Sequence, residues 1–157
     1  MGEKISKIVR QILLCTILYL GAVSCSKYRE FKSIGKWKSL CNNESVGMYT
    51  RIGNKIYGGN ATGIAINKLT SPLNGVDVES FKVCIGSDYA KDKNHVYYPI
   101  RMMCSDADTY GGCFFVEYIV KDVSSENFKY IGNQYGTDGY VLVQYGKKVS
   151  WDRFNRK

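Results

Sequence analysis

The sequence predicts a mainly all-β fold, an antiparallel meander of repeated β-hairpins. Three observations carry this. The 157-residue chain holds 13 Tyr and 16 Gly but only 2 Pro, a composition suited to pleated sheet broken by tight turns. Its length fits one domain. Three stretches resemble one another at intervals of 40 and 46 residues: Tyr49–Tyr57, Tyr89–Tyr97 and Tyr135–Val143. The segments in front of the last two also repeat, Asp77–Gly86 against Asp122–Gly132. Self-similarity at a fixed spacing marks stacked supersecondary units, and two and a half units are too few to close a propeller ring.

Each unit reads as a short strand, a turn and a second strand. The turns fall at Gly53-Asn54, Asp92-Lys93-Asn94 and Asp138-Gly139, residue types that tolerate the backbone of a hairpin turn. The strands that follow are rich in Val, Ile and Tyr. Gly146-Lys147 marks a further turn after Val141–Tyr145 and leads into Lys148–Trp151. The run Cys113–Val120 reads as a buried strand. Gly58-Gly59 and Gly111-Gly112 read as turns, since neither is followed by the helix and Lys-Ser/Thr of a phosphate loop.

Residues 1–24 have the three zones of a secretory signal: Lys4, Lys7 and Arg10, then the apolar run Ile12–Val23, then the small exit Ala22-Val23-Ser24. This segment is expected to be helical wherever it persists. Its apolar stretch of 12 residues is shorter than the ~20 that span a bilayer as a helix. Cleavage before Cys25 leaves 133 residues with a net charge of +6, against +8 for the whole chain. Residues 25–40 then read as a basic tether that lacks strand alternation, and 41–157 as the β-domain. Basic residues crowd the tether (Lys27, Arg29, Lys32, Lys36, Lys38) and the end (Lys147, Lys148, Arg153, Arg156, Lys157), the latter with Trp151 and Phe154 between them. Such runs suit anionic lipid head groups or acidic envelope polymers, though charge runs commonly just face water. For an exported chain, nucleic acid is not the expected partner.

The stretch Leu20-Gly-Ala-Val-Ser-Cys25 resembles the lipobox of bacterial lipoproteins. The resemblance implies a diacylglyceryl group on Cys25, and Ser26 resembles an outer-membrane sorting position. Ordinary cleavage after Ser24 also fits the small-residue rule. Cysteine parity favours the lipid. With Cys15 gone, Cys25, Cys41, Cys84, Cys104 and Cys113 remain, and removing Cys25 to a thioether leaves an even four. Three pairings of four cysteines are open. The expected one joins Cys104 to Cys113 across an eight-residue loop and Cys41 to Cys84. The second would close a 44-residue loop worth roughly 3–4 kcal/mol of chain entropy.

Asp92-Lys93-Asn94-His95-Val96-Tyr97-Tyr98 resembles the signature of the DKNYY family of exported bacterial repeat proteins, and Gly146–Val149 resembles that family's Gly-Lys-Lys element. The resemblance spans roughly residues 77–151. His95 and Pro99 depart from the pattern, and the copy at Asp138 is degraded. It implies an exported β-protein and carries no catalytic residues.

Chemistry-bearing patterns are sparse. Asp106, Asp108, Tyr110, Gly111 and Glu117 sit at calcium-loop spacing. Tyr at the fifth place and strand-like flanks argue for a polar loop tip instead, so no metal is expected. With all four domain thiols expected to be paired, the single His95 has no free thiol to activate, and the sequence holds no G-x-S-x-G serine. No cofactor and no catalytic residue is expected. The leading expectation is a lipid-anchored, non-enzymatic binding module of the cell envelope, meeting a protein or acidic polymer through Tyr- and Lys-bearing faces. The alternatives are an immunity-type inhibitor of a toxin or hydrolase and, further off, an envelope hydrolase with two convergent acids.

Overall fold

The computed structural model describes residues 27–60, 71–105 and 112–155; the signal segment and Cys25 lie outside them. The described chain is mainly β, with 46% of it in strands and 4% helical. In order the strands are β1 (Lys36–Ser39), β2 (Ser45–Val46), β3 (Tyr49–Ile52), β4 (Lys55–Gly58), β5 (Lys82–Ile85), β6 (Ala90–Lys91), β7 (Val96–Ser105), β8 (Gly112–Val120), β9 (Lys129–Gly132), β10 (Tyr135–Thr137), β11 (Leu142–Gln144) and β12 (Lys147–Val149). A five-residue helix, α1 (Trp151–Asn155), follows. They form three antiparallel sheets, β2-β3-β4, β1-β5-β6-β7-β8 and β12-β11-β10-β9.

The repeats are the framework. Tyr49, Tyr89 and Tyr135, one from each unit, are all buried. The Tyr49 hydroxyl donates to the Asp88 carbonyl at 2.9 Å, and the Tyr89 hydroxyl donates to the Gln134 carbonyl at 3.0 Å. Those acceptors are the residues just before Tyr89 and Tyr135, so each unit's tyrosine grips the start of the next. An aromatic ring covers each one: Phe81 on Tyr49 (5.5 Å between centroids), Phe128 on Tyr89 (5.2 Å) and Phe154 on Tyr135 (5.3 Å). Phe81 and Phe128 come from matching places in the repeat. Phe154 comes from α1, so the helix supplies to the last unit what a following unit supplies to the others, as terminal caps do in repeat arrays.

The aspartate turns repeat as well. Asp92 Oδ1 accepts the amides of Asn94 and His95, both at 2.7 Å. Asp138 Oδ1 accepts those of Tyr140 and Val141 at 2.9 and 2.8 Å. The second oxygen of each reaches back to the preceding loop, to Asp77 N at 2.7 Å and Ser124 N at 2.8 Å. An aspartate is thus needed where one buried carboxylate must satisfy amides both of its own turn and of the preceding loop.

Three features depart from expectation. Residues 25–40 are not simply a tether. Within them β1 pairs along β5 from Lys36↔Ile85 to Ser39↔Lys82, and Arg29 N and Ile34 N donate to Gly139 O and Tyr130 O. β1 escapes a pattern search because an edge strand with mostly exposed side chains is held by backbone bonds, not by an alternating apolar face. Second, β8 is half-buried: only Phe115 and Val120 are fully covered, because it lies at a sheet edge. Gly58 and Gly59 do not make a turn either. They let the end of β4 approach β8, where Gly59 bridges to Phe114 and a Cβ on Gly58 would run into the Phe115 ring.

Candidate functional site

Cys104 and Cys113 face each other across β7 and β8 with Cα atoms 4.0 Å apart and are disulfide-bonded. The Cys41–Cys84 bridge is not formed; both thiols are free, Cys41 exposed and Cys84 buried. Register explains this. Cys84 lies opposite Trp37, and Cys41 is four residues further along the chain, about 13 Å at strand rise. Burial pushes the Cys84 thiol pKa up.

The motif residues are structural. Asp92, Val96, Tyr97 and Tyr98 are buried. The Tyr97 hydroxyl donates to Asp92 Oδ2 at 2.8 Å, while exposed Lys93 pairs with Asp77 at 2.7 Å. Asn94 is exposed at the turn. His95 is half-buried, its ring beside Tyr97. The string therefore encodes a turn and a strand, which is why it speaks to fold and not to activity. Asp106 and Asp108 lie outside the described residues; Glu117 is exposed on β8, in register with Arg101. Among the described residues no group of three or more His, Cys, Asp or Glu is placed to hold a metal.

What the fold does build is a basic cleft between β7 and the β11–β12 hairpin. Tyr145 and Gly146 turn that hairpin with φ of 52° and 71°, the two left-handed residues of a type I′ turn. The turn lies directly on β7. A Cβ on Gly146 would meet Ile100 Cγ1 and Tyr98 Cβ at 2.8 Å, so only glycine allows this approach. The Tyr89 hydroxyl, besides donating to Gln134, accepts the Gly146 amide at 3.1 Å, fixing the turn to the repeat framework.

The cleft has a volume of about 590 Å³ and is lined by Tyr98, Ile100, Tyr145, Lys147, Lys148 and Arg153, among others. No carboxylate is among its described lining residues. A smaller hollow of about 370 Å³ continues it past Ile100, Lys147 and Lys148 to Lys121, with Glu117 and Asp122 at that end. Tyr98 forms the wall, its phenol pushed well above its ordinary pKa by burial and then by the Asp88 carboxylate, so it remains a neutral hydrogen-bonding group. Tyr145 is 56% exposed at the rim and meets Tyr98 edge-on, 6.4 Å between centroids. Cations beside an exposed ring can hold an anionic group by charge and its backbone by contact area. Lys147, Lys148 and Arg153 stand out in the sequence as a charge run; the contribution of Tyr98, Pro99 and Ile100 does not, because they lie more than 40 residues away in the chain.

Comparison with protein-family models, curated proteins and solved structures finds no match to this chain.

Proposed function

We propose that the protein is a lipid-anchored cell-envelope module that binds an acidic partner without catalysis, through the cleft between β7 and β12. The observation that carries the binding reading is the lining: Lys147, Lys148 and Arg153 beside Tyr98 and Tyr145, with no acid among the described lining residues. The lipobox-like stretch ending at Cys25 and the likeness to exported repeat proteins support placement in the envelope, and the Cys104–Cys113 disulfide suits an oxidising compartment.

Titration of the full chain in detergent with polyglutamate and with polyphosphate tests the binding reading. Binding that weakens with added salt and is lost in Lys147→Glu/Lys148→Glu/Arg153→Glu supports it. Binding that ignores these charge reversals, or no binding at low salt, contradicts it.

A further inference from the structure

The start of the described chain packs against its end. Arg29 N donates to Gly139 O at 2.7 Å. The Tyr28 ring lies against the Asp138-Gly139 turn, where a side chain on Gly139 would collide with it, and meets Tyr140 at 5.2 Å. Phe31 stacks on Trp151 at 5.4 Å and touches Phe154 edge-on at 5.8 Å. The Arg29 guanidinium lies 4.6 Å from the centre of the Trp151 ring, and Trp151 Nε1 donates to Tyr140 O. One face of the domain therefore gathers Tyr28 (49% exposed) and Tyr140 (50% exposed) around half-buried Trp151.

Arg29 brings a cation onto this face over Trp151, and exposed Lys27 and Lys32 flank it in the chain, against Glu30. Exposed tyrosines next to a tryptophan and cations make up the composition that sits at a membrane interface, rings at head-group depth and cations against anionic lipid. Sequence position identifies the occupant. Lys27, the chain neighbour of Tyr28, is two residues after Cys25 and four after the apolar run Ile12–Val23. Two residues of extended chain reach at most about 7 Å, so a lipid on Cys25 holds the bilayer surface against this part of the domain and no other.

We propose that the Tyr28–Tyr140–Trp151 face lies on an anionic lipid surface, fixing the orientation of the domain on its membrane. The inference rests on the anchored reading above and adds to it a docked orientation, in contrast to a domain swinging free on a tether.

The test uses the full chain, extracted from membranes and reconstituted into vesicles of phosphatidylcholine with or without phosphatidylglycerol, the acyl chains plain or brominated. Flotation reports the anchor; quenching of tryptophan emission by bromine reports the face. The expected result is that the chain floats and that the Trp151 contribution, read as the difference between wild type and Trp151→Phe, falls about twofold on brominated phosphatidylglycerol vesicles. Lys27→Glu/Arg29→Glu/Lys32→Glu should float but lose the quenching. A chain that floats with Trp151 unquenched overturns the docking and leaves the anchor standing. Equal quenching with and without phosphatidylglycerol overturns the anionic specificity. Quenching that survives in Trp151→Phe, where Trp37 remains, means that another face lies on the lipid and overturns the proposal. A chain that does not float overturns both readings.

Discussion

Replacing Asp92 with alanine removes one carboxylate that serves four donors. It accepts the amides of Asp77, Asn94 and His95 and the Tyr97 hydroxyl, at 2.7 to 2.8 Å, from a side chain only 4% exposed. The Asn94 and His95 amides lie at a solvent-facing turn, where water can replace the carboxylate. The Tyr97 hydroxyl is buried and the Asp77 amide belongs to a half-buried residue. Two donors stranded in this way cost about 3–4 kcal/mol together. With a urea slope of about 2 kcal/mol/M for a domain of this size, the midpoint should fall by about 1.5–2 M. Asp138→Ala is the internal comparison: it loses three amide bonds and no hydroxyl, and Ser124 and Tyr140 are exposed, so about half that loss is expected. Tyr97→Phe should cost about 1 kcal/mol in the wild type and return about 1 kcal/mol in the Asp92→Ala background, since it removes the donor stranded there. Urea denaturation of the four variants measures all of this. Equal midpoints for Asp92→Ala and wild type, or strict additivity with Tyr97→Phe, would refute the reasoning.

Other expectations follow from the same contacts. Tyr89→Phe removes the hydroxyl that joins the Gln134 and Gly146 turns; it should lower stability by about 1–2 kcal/mol and speed hydrogen exchange at the Gly146 amide, whereas unchanged protection there would speak against the clamp. Lys93 and Ser80 hold the Asp77 carboxyl at about 2, below its ordinary 3.8. Because the folded value lies below the unfolded one, this contribution is complete above about pH 4 and disappears as pH falls through about 2. Asp77→Asn should therefore flatten the acid side of the melting-temperature profile, and an identical acid slope would count against the ion pair. In native protein iodoacetamide should label Cys41, while Cys84 should react only after unfolding; peptide mapping that finds the two joined would restore the bridge that the strand register excludes.

The turns and the repeating tyrosines are legible in the sequence because their chemistry is local. Asp92 and Asp138 cap their own turns, and Tyr49, Tyr89 and Tyr135 recur at nearly the spacing of the units they link. The Cys104–Cys113 bridge is legible for the same reason, being closed across a single hairpin. What fails is whatever depends on register between distant strands. Cys41 and Cys84 had suitable parity and the wrong alignment. β1 is recruited by the backbone of β5, and α1, five residues long, is too short for helical periodicity to show. The cleft is intermediate. Lys147, Lys148 and Arg153 announce a charge, but the wall they face is brought up by Tyr89 and Gly146, contacts that no local pattern records.

An intact mass of protein extracted from membranes measures the proposed anchoring and the oxidation of the chain at once. The predicted species begins at Cys25, carries a diacylglyceryl group and is two hydrogens lighter than its reduced form, reflecting one disulfide. A full-length chain from the soluble fraction, with every thiol reduced and no lipid attached, would contradict both.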